Sequence, residues 1–376
     1  MRFLSILQFS LSVIGFVNSQ STPSLRDDGS FKIVQFSNLY VDNSGTNYAF
    51  TMLNIQNVID NEQPDFVVLT GDTVSPFMED SYTNRFQEAV QYLQITKIPW
   101  VSTGGQDRPG NEVDRQYMFD QEQEIGLELD PEGDSLSFSG LNNPNPEKLG
   151  LYTGRIPIMT HDLKDVAFNL WIIDSLGGQD CYGIKQGKSC ISKESVEWFN
   201  EEAAKIPKNK GFSDLLFTTY PLQEYMTAAN TQDLFGNFQQ QVCCQADNTG
   251  IFDAAFNSHR VGLISCGGDA LNDFSTNFKG IQLVYGRKSG YGGQRELDMG
   301  ARVFNIDGKS GKIDQWIREY DGDVFDQSKL KYTRPATQNI QTQCCAIEDV
   351  PEDIGDDQSN DGEIKWIDWR GSSFLE

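Results

Sequence analysis

VGLISCGGDALNDFSTNFKGIQLVYGRKSGY, residues 261–291, is the stretch on which the reading of the fold turns. Val261–Cys266 is an apolar run with strand character. It stops at Gly267-Gly268-Asp269-Ala270, whose paired glycines predict a tight loop. Leu271-Asn272-Asp273-Phe274 follows, then a second strand, Ile281–Tyr285, and a glycine-rich loop over 286–293. In an α/β sheet, chemistry sits in the loop just past a strand end.

Toward the N-terminus the same alternation repeats. FKIVQF (Phe31–Phe36) predicts a buried strand. Ala49, Met52, Leu53, Ile55, Val58 and Ile59 recur with helical spacing, and Pro64 closes that helix. Phe66–Leu69 is a second strand, with the turn Gly71-Asp72 after it. Phe86, Ala89, Val90 and Leu93 mark a second helix, and Ile98–Val101 a third strand leading into Gly104-Gly105. A β-α-β-α-β order implies a parallel sheet with right-handed crossovers. Residues 111–146, acidic and rich in Pro, Gly and Asn, are expected to form a surface insertion. Val166–Ile173 and Leu215–Phe217 are further strands, and Ser192–Lys205 is a helix burying Val196, Phe199 and Ala203. Ala301–Asp307 and Lys312–Tyr320 flank Gly308–Gly311 as a hairpin.

The chain has 376 residues, with 38% hydrophobic and 11% aromatic content, enough for a substantial core. Its formal charge of −24 excludes nucleic acid as a natural partner, because phosphate recognition needs a basic face. Residues 1–19 have the charged start, apolar run and small-residue end of a signal peptide, and that run is too short and interrupted to span a membrane. Residues 20–320 are expected to form one α/β domain. Residues 321–376 are expected to be an acidic, partly disordered tail, with eight acidic residues in Glu348–Glu363 and Trp366 and Trp369 beyond. The tail reads either as a tethered binding peptide or as a segment folded back on its own domain. Seven cysteines fit an oxidising, secreted or lumenal compartment. Cys181 and Cys190 flank a short loop and are expected to bond. Cys243 and Cys244 are expected to pair with Cys344 and Cys345, leaving Cys266 free.

The 261–291 stretch resembles the calcineurin-like metallophosphoesterases, in particular their short, single-domain purple-acid-phosphatase-like subgroup. Those proteins carry Gly-His-Asp-His where this chain has Gly267-Gly268-Asp269-Ala270, followed by a similar Asn-Asp-Phe and a Gly-Arg-Lys-Ser-Gly-Tyr-Gly-Gly loop. The resemblance extends over nearly all of residues 31–320. It implies an α/β fold in which two β-sheets form a sandwich flanked by helices, with a two-metal site at five strand-end loops. Two cations about 3.5–4 Å apart would clamp a phosphate and activate water.

Position by position, the resemblance implies that most of that site is lost. Asn38 stands for the family's Asp and Tyr40 for its His in the first loop. Asp72 matches the bridging ligand of the second. In the third, Gly105 replaces the ligand Asn and Gln106 the catalytic His. Thr219 replaces a His in the fourth, and Gly268 and Ala270 replace two in the fifth. Asp72 is thus the one retained ligand, vestigial in this setting, and Asn38 offers a weak amide oxygen. Asp72 also reads simply as a turn residue capping local N–H groups. The chain's two histidines, His161 and His259, fall outside these loops. Arg287 and Lys288 form either an anion-binding loop or a structural one. No Gly-x-Ser-x-Gly or P-loop signature offers another chemistry.

Taken together, the residues indicate a secreted or endomembrane-lumen phosphoesterase-fold protein that is catalytically inactive. It would use its former active-site face or its tail to bind a partner the sequence does not name, with no cofactor. Two other readings stand beside it. One is an active metal-dependent phosphomonoesterase, acid-phosphatase-like, holding Fe, Zn or Mn in a depleted site. The other is a structural component of a surface layer or secretory granule. Metal content separates the first two, and self-association the third.

Overall fold

A computed structural model describes residues 22–42, 45–75, 82–105, 115–128, 135–178, 190–207, 211–245, 247–293, 296–335 and 340–344. The apolar runs become strands because each can be buried on both faces. Phe31–Phe36 (β1), Phe66–Leu69 (β2) and Trp100–Ser102 (β3) lie parallel, with Ile33 opposite Phe66 and Val67 opposite Trp100. Thr46–Glu62 (α1) and Tyr82–Ile95 (α2) connect them. Gln63 ends α1 in a left-handed conformation, its N–H bonded to the Ile59 carbonyl at 2.7 Å, and Pro64 prevents continuation. Gly300–Ile306 (β10), Ile313–Glu319 (β11) and Val324–Phe325 (β12) complete this sheet in the order β12-β11-β10-β1-β2-β3.

The second sheet contains Gly154–Met159 (β4), Val166–Ile172 (β5), Asp214–Thr218 (β6), Val261–Cys266 (β7), Ser275–Phe278 (β8) and Ile281–Tyr285 (β9). Its order is β4-β5-β6-β7-β9-β8, with β5, β6, β7 and β9 mutually parallel. Phe31, Ile33, Phe66 and Val68 from the first sheet meet Phe168, Leu170, Leu215, Phe217 and Leu263 from the second in one apolar layer. Two six-stranded sheets therefore form a sandwich. Helices α1, α2 and Arg115–Glu128 (α3) cover the first sheet. Pro146–Leu149 (α4) is a single turn, while Lys193–Lys205 (α5), Gln223–Thr231 (α6) and Ile251–Ser258 (α7) cover the second.

The structure corrects the sequence reading in several places. The 111–146 region is not merely a surface insertion: Met118, Ile125 and Leu136 belong to the core beneath α2, and the Trp100 N–H bonds the Leu136 carbonyl at 2.9 Å. Met118, Glu122 and Ile125 recur at i, i+4 and i+7, a helical stripe masked by the Gln- and Glu-rich face opposite. The strand β4 (GRIPIM) went unread because Pro157 argues against a strand, yet β4 is an edge strand, where proline is tolerated. The body also runs past residue 320. There β12 pairs with β11, residues 327–329 form a 3₁₀ turn, and Lys331 bridges to Phe235.

Cys244 and Cys344 are bonded across 100 residues, and Gln341 is hydrogen-bonded to Asn230 and to both backbone groups of Val242. Segment 340–344 is thus stitched to the end of α6 and the loop beyond it. Cys190 and Cys243 are also disulfide-bonded, and Cys266 is free and buried. The expected partners Cys181 and Cys345, the leader and the tail beyond 344 lie outside the described residues.

Candidate functional site

The loops after β1, β2, β3, β6 and β7 meet at one edge of the sandwich, where parallel strands end together. The first two are zipped by backbone bonds: Tyr40 N–H to Asp72 O and Val41 N–H to Thr73 O, both 2.9 Å. This zipper needs unusual backbone. Asn38, Tyr40 and Asp72 all have positive φ, at 52°, 45° and 50°. Asn and Asp tolerate that region, whereas for Tyr it costs about 1–3 kcal/mol that the surroundings must offset.

Part of that offset comes from the side chains. The Tyr40 hydroxyl donates to Asp72 Oδ2 at 3.0 Å. Asn38 Nδ2 donates to the Gly268 carbonyl at 3.2 Å, with Tyr40 Oη at 3.4 Å and Asp72 Oδ2 at 3.5 Å. Lys288 Nζ donates to Asn38 O at 3.2 Å and Gly292 O at 2.6 Å, and lies 4.7 Å from the centre of the Tyr40 ring. A fixed ammonium thus sits on the tyrosine that holds Asp72.

The other positions are closed by packing. A Cβ at Gly105 would stand 3.1 Å from Asp72 N, and one at Gly268, where φ is +83°, 3.0 Å from Tyr220 Cδ1. Tyr220 is buried. Thr219 Oγ1 lies 2.7 Å from Thr103 Oγ1 and 3.0 Å from the Gly104 carbonyl, tying the third loop to the fourth. Ala270 is half-buried, and Gln106 lies outside the described residues. Across the described matched positions the side chains offer one carboxylate, one amide, the Tyr40 phenol and the Thr219 hydroxyl, and no imidazole. That set does not fit a binuclear cluster, which takes imidazole and carboxylate ligands. No group of three or more His, Cys, Asp or Glu able to hold a metal occurs among the described residues.

The residues of the frame that remain have structural partners. Asp269 Oδ2 accepts from Tyr285 Oη at 2.7 Å and Cys243 N–H at 3.0 Å. Asn272 Oδ1 accepts the Gln239 and Gln240 N–H groups. Asp273, fully buried, pairs with Arg287 and accepts from Asn237 and Gln327. Of the two readings of Arg287 and Lys288, these contacts favour the structural loop: Arg287 is also bonded to Glu319 and the Asp298 carbonyl, and both cations are buried.

Sequence reasoning missed Glu122. From α3 it reaches a cavity lined also by Asp72, Thr73, Tyr82, Ser102, Gly104 and Gly105. Burial pushes its carboxyl up to about 7, against the opposing influence of Tyr82, Tyr152, Arg115 and Ser102. The i, i+4, i+7 stripe it shares with Met118 and Ile125 was the available signal.

No family model matches the chain. It is 24% identical over 306 residues to probable inactive purple acid phosphatase 14 of Arabidopsis thaliana, covering 73% of this chain and 74% of that protein. It is 22% identical over 342 residues to probable inactive purple acid phosphatase 29 of the same plant, covering 84% and 86%. Among solved structures it is similar to a dimetal phosphatase from Danio rerio at 11% identity and a TM-score of 0.42, covering 77% and 99%. With five strand-end loops at one edge of a two-sheet sandwich and relatives matched over most of their length, the chain is similar to the calcineurin-like metallophosphoesterase superfamily.

Proposed function

We propose that this protein is a catalytically inactive pseudo-phosphatase of the secretory route, and that its strand-end face serves binding rather than turnover. The observation that carries the reading is the Tyr40–Asp72–Asn38 cluster. The one carboxylate matching a family ligand already accepts a phenol hydroxyl, and the amide beside it points its nitrogen at Asp72 and Gly268 O. Hydrolysis by the family's route needs a metal-bound water ionised near neutral pH, hence a cation held by several ligands. A cation held by Asp72 and Asn38 alone would exchange freely. The names of the plant relatives point the same way.

The test is elemental analysis of the purified protein together with phosphomonoester turnover, with and without added iron, zinc or manganese. The expected result is less than one metal ion per chain and no metal-stimulated turnover. About two ions per chain, or turnover abolished by Asp72→Ala, overturns the proposal.

A further inference from the structure

Helix α1 differs from the rest of this chain in what it lacks. Thr46–Ile59, its first fourteen residues, carry no charge, although 22% of the chain is charged. Ile55, Val58 and Ile59 on its inner face are core. The outer face of a surface helix is normally polar and charged. Here it presents Phe50 and Leu53, 40% and 47% exposed. They lead into a row of rings. The centres of Phe50 and Tyr291 are 5.3 Å apart, those of Tyr291 and Tyr320 6.3 Å, and Tyr320 is 42% exposed. Hydrogen bonds fix the row to the helix. The Tyr291 N–H donates to Thr51 Oγ1 at 2.9 Å, Asn54 Nδ2 to the Ser289 carbonyl at 2.8 Å and Asn57 Nδ2 to the Tyr320 carbonyl at 3.1 Å. Two exposed acids, Asp321 and Asp323, follow in the next turn, whose Gly322 lies beside Asn61 of α1. The result is a prearranged aromatic surface with an acidic rim.

We propose that the Phe50–Leu53–Tyr291–Tyr320 surface is the docking site of the chain's own segment Ile364–Arg370, IKWIDWR. Its composition fits. Trp366, Ile367 and Trp369 supply apolar anchors, and tryptophan is the residue most often found carrying such contacts. Rings already held in place lose little freedom when another ring packs on them. Its charge fits as well. Lys365 and Arg370 outnumber Asp368, in a chain of net charge −24, and they complement Asp321 and Asp323. A second copy packing through the same face would instead set acid against acid.

The reach fits too. The segment's tether starts at Cys344, which is bonded to Cys244. From there to the aromatic row the contacts run without a break. The neighbouring Cys243 N–H donates to Asp269 at 3.0 Å, Gly268 O accepts from Asn38, and Asn38 O accepts from the Gly290 N–H at 3.3 Å, one residue before Tyr291. That path is roughly 30 Å long, at about 3.8 Å per covalent step. The nineteen residues 345–363 span about 60 Å when extended, so the tether is ample. A tether of this kind supplies an effective concentration of about millimolar, at which a small aromatic contact is occupied. The contact does not depend on whether the strand-end face binds a partner.

Carbodiimide coupling of the full chain, read by peptide mass spectrometry, tests this. Lys365 should couple to Asp321 or Asp323 within monomers, with a yield that dilution leaves unchanged. Phe50→Gln with Leu53→Gln keeps good helix formers at two exposed positions and should lower that yield at least about tenfold, by removing the docked state the tether supports. Should that variant not fold, Trp366→Ala with Trp369→Ala leaves the body untouched and should give the same loss. Amide exchange over Ile364–Arg370 provides a second reading, slower in the native chain than in the Phe50/Leu53 variant. Coupling found only in covalent dimers would assign the face to a second copy and overturn the proposal. So would coupling of Lys365 to carboxylates elsewhere on the body, or exchange over 364–370 that the Phe50/Leu53 substitutions leave unchanged.

Discussion

Restoring a side chain at position 268 should be far more costly than its exposed-loop appearance in the sequence suggests. Gly268 has φ +83°, a region where a Cβ costs about 1–2 kcal/mol. The added carbon would also stand 3.0 Å from Tyr220 Cδ1 and 3.3 Å from the Thr219 carbonyl oxygen. Tyr220 is 1% exposed, so its ring has no solvent to swing into. Overpacking of this kind costs about 1–3 kcal/mol. Reduced freedom of the unfolded chain returns about 0.4–1 kcal/mol, and Gly268→Ala should thus lose about 1–4.5 kcal/mol, about 3 at mid-range. Gly280 supplies the internal control: its φ is +89° and a Cβ there meets nothing within 4 Å. Gly280→Ala should lose about 1 kcal/mol or less, from backbone strain alone. Urea denaturation of both variants measures the difference. Equal losses would refute the claim that Tyr220 has occupied the space of a lost ligand. Gly268→His, which reinstates an imidazole, carries the same penalty with a larger side chain and should take up no zinc.

Asp273→Ala strips the buried counter-charge from Arg287 and should cost about 3–5 kcal/mol, read by chemical denaturation; a loss below about 1 kcal/mol would show that Glu319 suffices. Tyr40→Phe removes the hydroxyl donated to Asp72 and should cost about 1.5–3 kcal/mol by thermal or urea unfolding, with no loss counting against the closed cluster. Replacing Cys244 and Cys344 together by Ser opens a 100-residue span, for which the chain-entropy ceiling is about 4.7 kcal/mol. The loss should fall short of that ceiling, because the Gln341 bonds to Asn230 and Val242 remain. An unchanged unfolding midpoint would show that the Gln341 bonds alone seat segment 340–344.

The parallel strands were legible because FKIVQF, FVVL and VGLISC are apolar runs closed by polar or glycine-containing turns. The positions compared with the family's ligands were read from the same frame of loops, by spacing alone. Sequence cannot show what fills an emptied position. That Tyr40 turns onto Asp72 depends on two positive-φ residues in the first loop, and that Tyr220 packs on Gly268 depends on contact between two loops about fifty residues apart. Glu122 was missed because its residue type argues for solvent. Only the packing of α2, α3 and Tyr152 around it makes it a core position. Arg287 and Lys288 left two readings open for the converse reason, as cations in a glycine-rich loop that the fold turns inward.

The ammonium of Lys288 bears on how this protein matures. A two-metal phosphatase must be loaded after folding, and until then its clustered ligands repel one another. Here positive charge is built into the polypeptide beside Tyr40, which in turn holds Asp72. On the inactive reading proposed above, folding of this face would draw nothing from the ion supply of the compartment in which it occurs. Chelation, or a shortage of iron or zinc, should then leave its assembly untouched.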